Sequence, residues 1–133
     1  MITAVDTNVL IDILEPDPIH GKPSLDLLRR AMREGSVVAC EVVWAEVATA
    51  YSESINEVLS GLADIGIAFL PMNETAAVKS ADCWRIYRQK AAKSGRIVAD
   101  FLIGGHAIIQ CDRLLTRDRG FYRDYFEELT LLS

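Results

Sequence analysis

The sequence predicts an α/β layer fold with a mainly parallel sheet, and three observations carry that prediction. Short apolar runs of strand length alternate with longer stretches whose apolar positions recur at helical spacing. Acidic residues fall at the ends of predicted strands, the place where open parallel sheets bind ligands. The chain has 133 residues, 50% apolar and 25% charged, which suits one globular domain spanning 1–133.

Residues 2 to 6 read as a short buried strand ending on Asp6. Asn8 to Leu14 places Val9, Leu10, Ile13 and Leu14 on one helical face, and Glu15-Pro16-Asp17-Pro18 breaks that helix because proline removes a backbone donor. His20-Gly21-Lys22 continues as loop. A second helix is expected from Pro23 or Ser24 to Arg33, stopped by Gly35. Ser36 to Cys40 is the second strand. Helices follow over Glu41 to Tyr51 and Ser54 to Ile65; Gly66 punctuates, and Ile67 to Leu70 is the third strand. Thr75 to Lys93 is the longest helix, closed by Ser94-Gly95. Val98 to Gln110 is the next helix and Arg113 to Thr116 the fourth strand. Asp118 to Phe126 reads as a loop or short helix, and Leu129 to Leu132 as an edge strand.

Bulk properties exclude several classes. No run approaches the roughly 18 to 20 apolar residues of a membrane span, and the N-terminus lacks a basic region with a cleavage pattern. Three cysteines, Cys40, Cys83 and Cys111, without C-x-x-C spacing give neither a zinc site nor a disulfide framework. A cytoplasmic location follows as the default. Net charge is −5, which opposes a nucleic-acid coat role but not a nuclease whose carboxylates bind metal. From Cys83 to Ala99 the charge reverses: Arg85, Arg88, Lys90, Lys93 and Arg96 are unbroken by any acid. That segment is either a solvated helix face or a rim that tracks phosphates.

Four acids stand in apolar surroundings: Asp6 after Ile2, Ala4 and Val5; Glu46 within Val37 to Tyr51; Asp100 between Ile97-Val98-Ala99 and Phe101-Leu102-Ile103; Asp118 after Leu114-Leu115-Thr116-Arg117. Such carboxylates are paired, protonated or metal-bound, and four of them point to one negative pocket holding a divalent cation. Each has a plainer reading. Asp6, Asp100 and Asp118 could cap helices, and Glu46 could lie on an exposed face. Gly104-Gly105, inside a helical pattern where each glycine costs about 1 kcal/mol, implies a close helix approach or a kink. His106 is expected in the core or an interface, and His20 in solvent. Trp44, Tyr51, Trp84 and Tyr87 suit packing better than base stacking. No phosphate-binding glycine loop and no Ser/His/Asp set is present.

Four segments together resemble the PIN-domain ribonucleases, specifically the VapC-type toxins of prokaryotic toxin–antitoxin pairs. They are Val5-Asp6-Thr7-Asn8-Val9-Leu10-Ile11-Asp12, Trp44-Ala45-Glu46-Val47, Asp100-Phe101-Leu102-Ile103-Gly104-Gly105-His106-Ala107 and Leu114-Leu115-Thr116-Arg117-Asp118. The resemblance implies a three-layer α/β/α sandwich whose acidic quartet binds Mg²⁺ or Mn²⁺. Asp6 and Asp100 would be the principal ligands, with Glu46 and Asp118 completing the pocket. Asn8 and Thr116 would arrange the site, and Arg117 could meet phosphate. It further implies RNA hydrolysis, a homodimer and a cognate VapB-type antitoxin. Two other classes stay open: a module that binds a partner's arginine in an acidic groove, and an aspartate-nucleophile phosphotransferase, for which no suitably placed lysine is evident.

Overall fold

Each strand pairing in the sheet is parallel. The computed structural model describes residues 1–50, 54–90 and 95–132. In chain order the elements are β1 (Ile2–Val5), α1 (Thr7–Leu14), α2 (Gly21–Glu34), β2 (Ser36–Ala39), α3 (Glu41–Ala50), α4 (Ile55–Ile65), β3 (Ile67–Phe69), α5 (Glu74–Lys90), α6 (Val98–Gln110), β4 (Arg113–Leu115), α7 (Arg119–Tyr125) and β5 (Leu131–Leu132). The five strands lie in the order β3-β2-β1-β4-β5, and the helices cover both faces in a three-layer α/β/α fold.

β1 is the middle strand. Ala4 pairs with Val38 of β2 on one side and Leu114 of β4 on the other. Thr3, Ala4 and Val5 are all buried, as are Val37, Val38 and Ala39, because helices cover both faces and leave no solvent side for polar residues to alternate onto. The ladder continues one step past β1: Asp6 N–H donates to the Leu115 carbonyl at 2.9 Å. That bond sets Asp6 beside Thr116 at the carboxyl ends of two neighbouring strands, where the sequence places a ligand site.

A second core element is aromatic. Phe101, fully buried, has Trp84, Tyr87 and Phe121 at ring separations of 5.1, 5.2 and 5.1 Å. Phe101 follows Asp100, so this cluster anchors the start of α6. Further along α6, a Cβ on Gly105 would fall 1.9 Å from Ser80 Oγ and 2.7 Å from the Ala76 carbonyl, and one on Gly104 would fall 2.5 Å from the Phe126 ring. The glycine pair therefore lets α5 and Phe126 close onto α6, the close approach that the sequence implies. His106 is 1% exposed and belongs to the core.

Most boundaries shift by one residue and β5 begins at Leu131 rather than Leu129; the start of α2 differs most. Gly21 and Lys22, expected in a loop, begin α2. Asp17 Oδ1 accepts from the N–H groups of Ile19 and His20, both at 2.8 Å, and Gly21 N–H donates to the Asp17 carbonyl at 2.9 Å. This turn leads straight into the helix, and Pro23 is tolerated because first-turn N–H groups have no helical partner. At Gly66 the expected stop is present: φ is 101°, a left-handed conformation that closes α4. The expected continuations of α3 to Tyr51 and of α5 to Lys93, with Ser94 of its closing pair, lie outside the described residues. Among those described, no helix is long and apolar enough to cross a membrane.

Candidate active site

Asp6 is the centre of the site. It caps α1 through its Oδ1, which accepts from Thr7 N–H at 2.7 Å. The plain capping role is therefore real, but it uses only one oxygen. Oδ2 accepts from the Thr116 hydroxyl at 2.8 Å and the Tyr122 hydroxyl at 3.3 Å, with Asn8 Nδ2 at 3.4 Å. Asp6 is 7% exposed. Burial outweighs these hydrogen bonds, and the nearby charges of Glu46 and Asp100 add to it, so the carboxyl rises from 3.8 to about 6. Tyr122 is pushed well above its usual range, chiefly by desolvation and further by the charges of Asp6, Asp100 and Asp118.

The other acids arrive from separate elements. Glu46, half-buried on α3, accepts from the Thr7 hydroxyl at 2.7 Å. Asp100, in the first turn of α6, accepts from Ile97 N–H at 3.3 Å. Asp118 precedes α7 but makes no side-chain cap there. Instead, both its oxygens accept from Arg96, whose guanidinium also lies over the Phe121 ring at 4.3 Å. Asp118 N–H donates to Thr116 Oγ1 at 3.0 Å, so one threonine hydroxyl joins the backbone of the fourth acid to the side chain of the first.

Asn8 and Thr116 thus touch Asp6. Asn8 also accepts Arg117 N–H at 3.3 Å. The Arg117 side chain turns away: its Nε and a terminal nitrogen donate to the two oxygens of buried Asp12 at 2.7 and 3.0 Å, and Ser24 Oγ donates to the same carboxylate at 2.8 Å. A cavity of about 210 Å³ opens beside Thr116, lined also by His20, Leu27, Arg117 and Arg119. Sequence reasoning gave no role to Tyr122, Thr7 or Asp12, and it placed Arg96 only in a basic segment. Thr7 and Asp12 lie in the first quoted segment, so their position was the available signal. Nothing local marks Tyr122, which meets Asp6 across 116 positions of chain.

The donor set suits a hard divalent cation, since it is all oxygen and a cation would relieve the unfavourable charge on Asp6. Among the described residues the carboxylates of Glu46 and Asp100 each accept one hydrogen bond, and Asp118 sits in an ion pair. Accordingly, among the described residues no three Asp, Glu, His or Cys side chains already stand in a metal-holding arrangement. Asp6, with Glu46 and Asp100 whose charges act on it, would hold the ion, while Asp118 would first have to exchange its arginine.

Residues 3–127 match the PIN domain family, a span that includes all four acids. The chain belongs to the PIN domain family. In sequence, no curated protein matches this PIN domain at a significant level. Its fold is similar to that of VapBC2 from Rickettsia felis, solved bound to a DNA fragment from their promoter, with 20% identity over 98% of this chain and 97% of that chain and a TM-score of 0.73. VapBC-1 from nontypeable Haemophilus influenzae gives 17% identity, 98% and 96% coverage and a TM-score of 0.73. FitAcB from Neisseria gonorrhoeae gives 23% identity, 100% and 97% coverage and a TM-score of 0.70.

Proposed function

We propose that this PIN domain, a single unit over 1–133, hydrolyses RNA phosphodiester bonds with Mg²⁺ or Mn²⁺ and is the toxin of a toxin–antitoxin pair. The observation that carries the reading is the buried Asp6 carboxyl, raised to about 6 and acted on by Glu46 and Asp100 from two other helices. Such an arrangement is costly in a protein with no cation to receive. PIN domains form a nuclease family. The toxin assignment and a VapB-type antitoxin are supported by the four VapC-like segments and by folds determined as VapBC and FitAcB; a homodimer and a cytoplasmic setting belong to the same proposal.

A divalent ion bound there supplies a more acidic water and a positive charge beside the phosphate. The chain's own residues do the positioning. Thr116 and Tyr122 fix Asp6 Oδ2, and Thr7 links α1 to Glu46. Phe101 and its aromatic neighbours keep Asp100 at the head of α6. Water attack at phosphorus with loss of the 3′ oxygen gives 5′-phosphate and 3′-hydroxyl ends.

The test is cleavage of a mixed single-stranded and structured RNA pool by antitoxin-free protein, comparing Mn²⁺ or Mg²⁺ with EDTA and the parent with Asp6→Asn and Asp100→Asn. Metal-dependent cuts lost in both variants support the reading. A second reading, an arginine-binding module, is favoured by one observation: a guanidinium already sits on Asp118. A folded protein that binds metal yet cuts no RNA in the pool would favour that alternative.

A further inference from the structure

Arg96 is the one described cation of the Cys83–Ala99 segment whose side chain turns into the site. Arg85 pairs with Asp82 on α5 at 3.7 Å, Arg88 lies over Trp84, and Lys90 is exposed. Arg96 N–H donates to the Tyr87 hydroxyl at 2.9 Å, which ties its backbone to the aromatic cluster. Its guanidinium is stacked on Phe121 and forked onto Asp118, and the charge of Asp100 reaches it as well. Both members of the pair keep about a third of their side-chain surface open, 33% for Arg96 and 34% for Asp118. The pair therefore stands at the mouth of the acidic pocket rather than in its floor.

We propose that Arg96 is the phosphate-binding residue of this site, resting on Asp118 until RNA arrives. This rests on the ribonuclease reading above. The fork of N–H groups that fits two carboxylate oxygens fits two phosphate oxygens equally well. An ion pair open to water is weak and exchanges readily. Phe121 holds the plane of the guanidinium while its partner changes, so the fork need not be reordered on binding. The same exchange frees Asp118 to face the metal pocket. A chain with net charge −5 needs a fixed cation beside its carboxylates to bring a phosphate near them.

Binding is measured by fluorescence anisotropy with a labelled single-stranded RNA in EDTA, over a range of salt, for the parent, Arg96→Met, Arg96→Lys and Asp118→Asn. Mn²⁺ affinity is measured on the same proteins by calorimetry. Arg96→Met is expected to weaken RNA binding roughly fivefold to tenfold and to lower the salt slope by about 0.7, the share of one single-strand phosphate contact. It should also bind Mn²⁺ more tightly, because the competing cation is gone. Arg96→Lys should recover the slope but not the full affinity, and Asp118→Asn should bind RNA more tightly than the parent. A parent that binds and cuts RNA, beside an equally folded Arg96→Met with unchanged affinity and slope, overturns this proposal and leaves the ribonuclease reading standing. A parent that neither binds nor cuts the RNA overturns both.

Discussion

At neutral pH Asp6 carries a charge that its surroundings resist. Its carboxyl titrates near 6 when folded, against 3.8 as a free side chain. The folded chain therefore holds this proton more tightly than the unfolded one. Its contribution to stability is complete below pH 3.8 and is lost as pH rises through about 6. By pH 7.5 the metal-free protein forgoes on the order of 2–3 kcal/mol there. Asp6→Asn removes that charge, so in EDTA at pH 7.5 its melting temperature should exceed the parent's by roughly 5–10 °C. The gap should close toward pH 4, where the parent's Asp6 is already neutral. A variant that melts below the parent at both pH values would show that the hydrogen bonds to Asp6 outweigh its desolvation. Arg117 makes a contrast with Arg96. Its fork is fully engaged with Asp12, a carboxylate only 4% exposed. Arg117→Met should lower stability by about 1–2 kcal/mol, below the full cost of orphaning a buried charge because the arginine itself is 39% exposed. Its RNA salt slope should match the parent's. Urea unfolding and the anisotropy titration check the two halves of that statement, and a reduced slope would make Arg117 a phosphate contact after all.

Elements show how far a sequence reaches. The strands, the helix between Val98 and Gln110 and the stop at Gly66 were legible because periodicity and glycine chemistry act within a few residues. The start of α2 was not, since the Asp17 side chain builds a turn that apolar spacing does not register. Glu46 and Asp100 stood out because each interrupts an apolar run, and Asp6 and Asp118 because each follows a strand-like one. Tyr122 and the Arg96–Asp118 pair did not, because a tyrosine on a short helix and an arginine in a basic stretch look the same with or without a distant acid to meet. The glycine pair was readable as a close approach, and it yields a sharp expectation. Gly105→Ala places a methyl against the Ala76 backbone carbonyl, which cannot rotate away as Ser80 can. Parting α5 from α6 should cost about 1–3 kcal/mol, visible as a lower urea midpoint. An unchanged midpoint would mean that the two helices separate freely.

For the molecule as a whole, the sheet order decides where function can lie. β1 is flanked by β2 and β4, so the chain's first strand meets a late one, and Asp6 meets Thr116 where the carboxyl ends of β1 and β4 adjoin. A cation that binds only this folded arrangement must stabilise all of it. At a hundredfold excess over its dissociation constant, Mn²⁺ should add about 2.7 kcal/mol to the parent and much less to Asp6→Asn; equal melting shifts in both would place the ion elsewhere. The central position of β1 also bears on synthesis. Asp6 leaves the ribosome well before Thr116, which fixes its carboxylate and follows 110 positions later. Until β4 has emerged and slid in beside β1, the nascent chain owns an aspartate but no site, so its chemistry waits on a segment made long after its first acid.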